Sequence, residues 1–168
     1  AVCIAERQTA GKGRRGRTWF GGYGSNILMS LVGRFDQGIA EAEGLSLAVG
    51  VVVAEVLSDL GVSGVELKWP NDLLLDGKKL GGVLLEMGGD PNGECYIVVG
   101  LGLNLRVPAG EAGNIDQPHA DLMEGQIKVG RNALASRLID ALLVMLGDYS
   151  SRGFAFYKSA WESKNAYA

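Results

Sequence analysis

Apolar positions alternate with small or polar ones along several short stretches of the chain and recur at helical spacing along two longer ones. Val2 to Glu6 reads as a strand already under way, and a long glycine-rich loop follows over about residues 7–25. Asn26–Val32 returns as a largely apolar strand. Ile39 to Leu60 carries alanine and leucine throughout. Its valines (Val49, Val51, Val52 and Val53) suit a strand, but a strand of about 20 residues lies far outside the usual range, so one helix is expected, stopped by Gly61. Val65–Trp69 is a strand held extended by Pro70. Leu73–Leu75 and Lys79–Met87 flank Asp76-Gly77, the strongest short hairpin signal. Glu94–Val99 and Leu101–Arg106 continue the sheet, and residues 107–130 read as loop, with Pro108, Gly110, Gly113, Pro118 and Gly125. Asn132 is expected to cap a helix whose Leu134, Leu138, Leu142, Met145 and Leu146 keep one face. A short helix with Phe154, Phe156, Tyr157 and Trp161 ends the pattern. The expected fold class is α+β: a mixed, mostly antiparallel sheet with helices packed on one face.

At 168 residues the chain is one ordinary domain, with 47% hydrophobic and 21% charged residues. Its 26 glycines are about twice the usual share, which suggests several tight loops around a site. No apolar run is long enough to span a bilayer, nothing at the start resembles a signal peptide, and no membrane association is expected. Cys3 and Cys95 have no disulfide or metal spacing and are expected to be reduced, buried thiols in a cytoplasmic protein. The abrupt start and finish suggest a fragment or a trimmed chain.

Charge changes this picture at one place. Gly11-Lys12-Gly13-Arg14-Arg15-Gly16-Arg17 packs four cations and three glycines into a chain whose formal net charge is −3, so the remainder carries −7. Adjacent cations repel, and glycines lose backbone entropy on ordering, so such a segment folds best around an anion. Glycine lets main-chain N–H groups approach phosphate closely, and arginine supplies planar bidentate contacts. A phosphate clamp for a small ligand is the expected reading, with the loop ordering around that ligand. The acidic remainder weighs against nucleic-acid binding, and no DNA binding by this chain is expected.

Two further groups face the same chemistry. In Lys68-Trp69-Pro70-Asn71-Asp72 the period of two sets Val65, Leu67 and Trp69 on one side and Lys68 on the other. With Trp69 in the core, Lys68 would project from a rigid strand just before a proline-fixed turn. A strand lysine is most often simply solvated; the nearby demand for an anion singles this one out. Gly100, Gly102 and Asn104 share one strand face, while Val99, Leu101, Leu103 and Leu105 fill the core. The glycines carve a shallow slot for a thin ligand, closed by the Asn104 amide; a bulge or bend is the alternative. Trp19, just beyond the basic loop, could stack on a base, and His119 reads as surface. There is no GxSxG and no GK[ST] phosphate loop.

Taken together, these segments resemble the biotin protein ligases. Gln8 to Trp19 is similar to that family's ligand loop, Lys68-Trp69-Pro70-Asn71-Asp72-Leu73 with Lys79-Leu80-Gly81-Gly82 to its second motif, and Gly100-Leu101-Gly102-Leu103-Asn104 to its third. The resemblance covers nearly all of the chain. It implies the class II aminoacyl-tRNA synthetase-like fold of the biotin and lipoate ligase catalytic domain, and a two-step reaction. Biotin is activated by ATP to biotinyl-5′-AMP, then transferred to one lysine of a biotin carboxyl carrier protein domain. Lys68 and Arg14 are implied as catalytic. The implied biotin-binding set is Gln8, Gly11, Lys12, Arg14, Lys68, Leu73, Gly81, Gly82, Gly100 and Gly102. The implied nucleotide-binding set is Arg14, Arg15, Arg17, Trp19, Lys68, Asn71 and Asn104. Mg²⁺ should accompany ATP, with no ligands assigned, and a homodimer through the sheet edge is a possible assembly. Residues 1–168 would form the catalytic core, with a Ser/Thr-Asn segment expected before Ala1 and a small β-barrel after Trp161. A lipoate or octanoate ligase or transferase is the rival reading, but the arginine-rich loop is not expected there.

Overall fold

A computed structural model describes residues 1–108, 117–123 and 127–167. Gly110, Gly113 and Gly125 lie outside the described residues. Six strands form one antiparallel sheet: β1 (Val2–Ile4), β2 (Asn26–Phe35), β3 (Val65–Lys68), β4 (Asp72–Leu75), β5 (Lys78–Gly89) and β6 (Cys95–Asn104). Their order across the sheet is β1-β2-β6-β5-β4-β3. The helices α1 (Leu45–Asp59), α2 (Arg131–Arg152) and α3 (Lys158–Ser163) complete the fold. The expected α+β class is observed, with every neighbouring strand pair antiparallel.

The hairpin forms where Asp76-Gly77 predicts it. Both residues have positive φ, 50° and 71°, as the tight primed turn requires. The stop at Gly61 also holds. Gly61 (φ 86°) follows the last turn of α1, and the N–H groups of Gly61 and Val62 donate to the carbonyls of Ser58 and Leu57, both at 2.9 Å.

Several expectations need correction. The single helix over 39–60 is split into a short 3₁₀ turn, Ile39–Ala42, and α1. Gly44, between them, has φ 73°, and a Cβ there would lie 2.5 Å from the Phe154 side chain, so the chain turns where no other residue would fit. Asn132 does not cap α2. Gly130 holds that position and Asn132 lies inside the helix. Trp69 is 68% exposed rather than buried. The ladder ends at Lys68↔Asp72, and Asn71 N–H already donates to the Lys68 carbonyl, so strand alternation no longer governs residue 69. Cys95 is buried but Cys3, on edge strand β1, is exposed.

The two strands anticipated around Gly100 are one. Ten consecutive pairs, from Asn26↔Asn104 to Phe35↔Cys95, join β2 and β6 without a slip. Gly100 and Gly102 therefore mark neither bulge nor bend.

The core lies between one sheet face and the helices. Ile27, Leu31, Val99 and Leu103 meet Leu45, Val49, Val53 and Leu57 of α1 and Leu134, Leu138 and Leu142 of α2, all fully buried. Val49 through Ala54 are buried in succession, so α1 is covered on most sides, as an all-apolar helix must be. At Gly50 a Cβ would stand 3.2 Å from Leu67, and its absence lets α1 settle onto β3.

Tyr149 closes the far end of α2. Its ring is fully buried against Phe35 and Tyr157, and its hydroxyl donates to the Glu43 carbonyl at 2.6 Å. Burial pushes that hydroxyl above the ordinary tyrosine pKa, with Tyr157 and Glu43 adding to the rise. A group whose pKa is raised on folding contributes stability that is present below its unfolded pKa and lost as pH climbs beyond it. Tyr149→Phe should cost about 1 kcal/mol at neutral pH through the lost hydrogen bond. Chemical denaturation should show this gap closing above about pH 10, where the Tyr149 phenol ionises in the unfolded chain while the buried one keeps its proton.

Candidate active site

The sheet face away from the helices is floored by glycine. One row of paired residues runs Leu28, Gly102, Gly82, Asp72 and Lys68 across β2, β6, β5, β4 and β3. The next row runs Ser30, Gly100 and Leu84. These rows floor a cavity of about 920 Å³. The loop over 7–25 forms its opposite wall, bringing Gln8, Lys12, Arg14, Arg15, Arg17 and Trp19 onto it. Asn71, Asn104, Gln117 and His119 close the remaining sides.

The loop keeps its shape through its own backbone. Gly13 N–H donates to the Arg17 carbonyl at 2.7 Å, and Trp19 N–H to the Gly11 carbonyl at 2.9 Å. Where the chain crosses itself, a Cβ on Gly11 would fall 2.5 Å from the Trp19 carbonyl. Arg15 holds φ 57°, a left-handed conformation uncommon outside glycine, and Gly16 follows with φ 75°. Arg14 Nη1 donates to Asn71 Oδ1 at 3.4 Å, joining the loop to the turn after Lys68.

Three residues of the expected biotin set lie behind this wall. Leu73 and Gly81 belong to the neighbouring row, Leu73, Gly81, Leu103 and Ile27, which the period of two turns toward the helices. Leu73 is fully buried, and a Cβ on Gly81 would meet the Gly102 carbonyl at 2.7 Å. Gly11 is buried at the loop crossing. The other expected residues, Lys68 included, line the cavity.

The charge is lopsided. Lys12, Arg14, Arg15, Arg17, Lys68 and Lys79 line the cavity against two carboxylates, Asp72 and Glu86. Asp72 is already bound, its Oδ1 2.7 Å from Lys79 Nζ, with both side chains about one-fifth exposed or less. Cations outnumber their partners around a concave, partly dry floor, which favours a polyanionic ligand.

The Biotin/lipoate A/B protein ligase family matches residues 1–104. The Bifunctional ligase/repressor BirA of Escherichia coli (strain K12) is 45% identical over 161 residues, 96% of this chain and 50% of its own length. A biotin–(acetyl-CoA-carboxylase) ligase of Paracoccus denitrificans is 31% identical over 172 residues, 99% of this chain and 71% of its own. The chain belongs to the biotin/lipoate protein ligase family. Its fold agrees: the biotin protein ligase from Aquifex aeolicus in complex with biotin and ATP superposes with a TM-score of 0.80 at 28% identity, covering 99% of this chain and 68% of that one. The chain spans about half the length, 50%, of the BirA relatives it matches.

Within this ligase fold, two cavity residues escaped the sequence reading. Lys79 belongs to the second motif but to neither implied set, yet it is the inward cation, far less exposed than Lys68. Its Cε would lie 3.5 Å from a Cβ on Gly82, and its Nζ stands 5.9 Å from the centre of the Trp19 ring. The available signal was its position two residues after the Asp76-Gly77 turn, which fixes it near the start of β5. His119, read as surface, is half-buried on the cavity wall. A short parallel bridge to Lys79 holds it there, through a bond from Lys79 N–H to the Pro118 carbonyl at 3.0 Å. No sequence pattern announced that long-range pairing. Among the described residues no group of three or more His, Cys, Asp or Glu could hold a metal ion.

Trp19 covers the slot. A Cβ on Gly102 would stand 2.6 Å from its indole ring, and the indole Nε1 is buried without a hydrogen-bond partner. Gly102→Val should therefore expel Trp19 and shift tryptophan emission to longer wavelength. Gly100→Ala should leave the spectrum unchanged, because its nearest neighbour, the Leu84 carbonyl, is 3.4 Å away. The Gly102→Val shift should vanish in a Trp19→Phe background.

Proposed function

We propose that the full protein joins biotin to ATP and passes the activated biotin to a lysine of a biotin carboxyl carrier protein domain. The observation that carries this reading is a glycine-floored slot opening directly onto six cations within one cavity. A cavity of about 920 Å³ is near the upper end of small-ligand sites, large enough for an acid and a nucleotide together. Residues 1–168 then form the catalytic core.

A carboxylate and a triphosphate repel, so their reaction needs fixed positive charge at the seam. In the first step a biotin carboxylate oxygen attacks the α-phosphorus. The bond from that phosphorus to the β-phosphate oxygen breaks, and pyrophosphate leaves with its electron pair. Lys68 and Arg14 meet the charge where biotin and the nucleotide join, with Lys79, held inward by Asp72, beside them and Arg15 and Arg17 on the phosphates. Gln8, Lys12, Gly82, Gly100 and Gly102 face biotin, with Gly11, Leu73 and Gly81 shaping the wall from behind. Trp19, Asn71 and Asn104 face the nucleotide. In the second step the carrier amine attacks the acyl carbon, AMP leaves from the tetrahedral intermediate, and the amine proton passes to solvent.

Mg²⁺ would accompany the nucleotide in this reading, with no protein ligands assigned to it; among the described residues no group of three or more His, Cys, Asp or Glu could hold it. We assign it no step. No described helix is long and apolar enough to cross a membrane, and a cytoplasmic location fits the substrates. A homodimer would use a sheet edge; β1 is the outer strand at one side.

Pyrophosphate exchange into ATP should depend on biotin and should not be supported by lipoate or octanoate; exchange with lipoate would transfer the protein to the rival reading. Lys68→Ala and Lys79→Ala should each depress exchange by about 2–4 kcal/mol of transition-state stabilisation. The thermal stability of Lys68→Ala should be nearly unchanged, since its side chain is exposed. Arg14→Gly should weaken retention of biotinyl-AMP more than binding of biotin, so that the released acyl adenylate labels bystander lysines. Adenylate release unaltered in that variant would relocate the phosphate clamp.

A further inference from the structure

The loop that carries the cations is joined to the sheet at a narrow neck. One leg is Ala5-Glu6 and the other is Gly24 to Leu28. Two backbone bonds tie this neck: Gly24 N–H donates to the Glu6 carbonyl at 2.9 Å, and Ala5 N–H to the Leu28 carbonyl at 3.0 Å. A third tie comes from far along the chain. Arg131, the first residue of α2, puts its guanidinium between the two legs. Its Nε donates to the Asn26 carbonyl at 3.0 Å, its Nη1 reaches both Glu6 carboxylate oxygens at 2.8 Å, and its Nη2 donates to the Ala5 carbonyl at 3.3 Å. Only 17% of that side chain is exposed.

A planar guanidinium bonds to both legs at once, which a point ammonium cannot do. The effect extends into the cavity. Asn26, whose carbonyl Arg131 holds, donates through Nδ2 to the Phe20 carbonyl at 3.4 Å and to Asn104 Oδ1 at 3.5 Å. Asn104 in turn donates to the Ala120 carbonyl at 3.0 Å, beside His119. The neck, the end of the basic loop and the Asn104 side of the cavity are thus one hydrogen-bonded unit. Helix α2 does not need Arg131 for its own seat, because Leu134, Leu138 and Leu142 are fully buried in the core. The cost of removing Arg131 should therefore fall on the loop.

We infer that Arg131 is a positioning residue that sets the aim of the cationic loop, and through it the grip on nucleotide and adenylate. The consequence for catalysis rests on the proposed activity; the consequence for the loop does not. In the full protein, Arg131→Ala should accelerate proteolytic cleavage within residues 7–25 about fivefold or more before ligand is added, as expected when charge-assisted bonds closing a loop are lost. In biotin-dependent exchange, KM for ATP should rise about tenfold while kcat stays within about twofold, the signature of lost ground-state binding. Arg131→Lys keeps the charge beside Glu6 and protects against misfolding, but should restore neither readout. Arg137→Ala, an exposed change further along α2, should behave like the unsubstituted protein.

Loop cleavage and KM both unchanged in Arg131→Ala or Arg131→Lys would overturn the inference. So would a fall in kcat at constant KM, or cleavage spread evenly along a globally destabilised chain. If the unsubstituted protein lacks exchange, the proposed function fails, while the cleavage comparison still decides whether Arg131 pins the loop.

Discussion

A side chain on a strand must face one side of the sheet or the other, and the unbroken pairing of β2 with β6 imposes that choice on ten residue pairs at once. Ile27, Leu31, Val99 and Leu103 are driven to the helix side by their burial. Gly100 and Gly102 are left on the open side with nothing to project. Shifting the register by one residue would put leucines in the cavity and glycines in the core, so the hydrophobic demand of the core fixes the shape of the slot. The neighbouring strand repeats the logic: Gly82 joins the floor, while Gly81, one residue away, sits behind it.

On this neutral floor the charge is carried by separate elements. Lys68 closes β3, Lys79 is the second residue of β5, and the arginines arrive on the loop from the other side. Holding unpaired cations together is unfavourable in the free protein, and the Asp72–Lys79 pair relieves only part of it. The remainder is a standing preference for a polyanion. Trp19 on Gly102 adds a second unsatisfied feature, a buried indole N–H. Both are costs that a ligand filling the cavity would remove, so binding and loop order are physically linked.

The sequence by itself determined a large part of this. Period-two alternation with paired glycines is legible because β-strand geometry is local, and so are the Asp76-Gly77 turn, the Gly61 stop and the cluster of cations. Their union also made the family legible. The split at Gly44 was not, because it depends on Phe154, more than a hundred residues later. Trp69 was misassigned because alternation holds only while a ladder lasts, and the end of β3 is set by its partner. The same dependence on distant partners hid the inward turn of Lys79 towards Trp19, the seat of His119 on the cavity wall and the reach of Arg131 across the loop neck. Local rules fix which way a residue faces; only tertiary structure decides what it meets there, because those contacts join segments that the chain itself holds far apart.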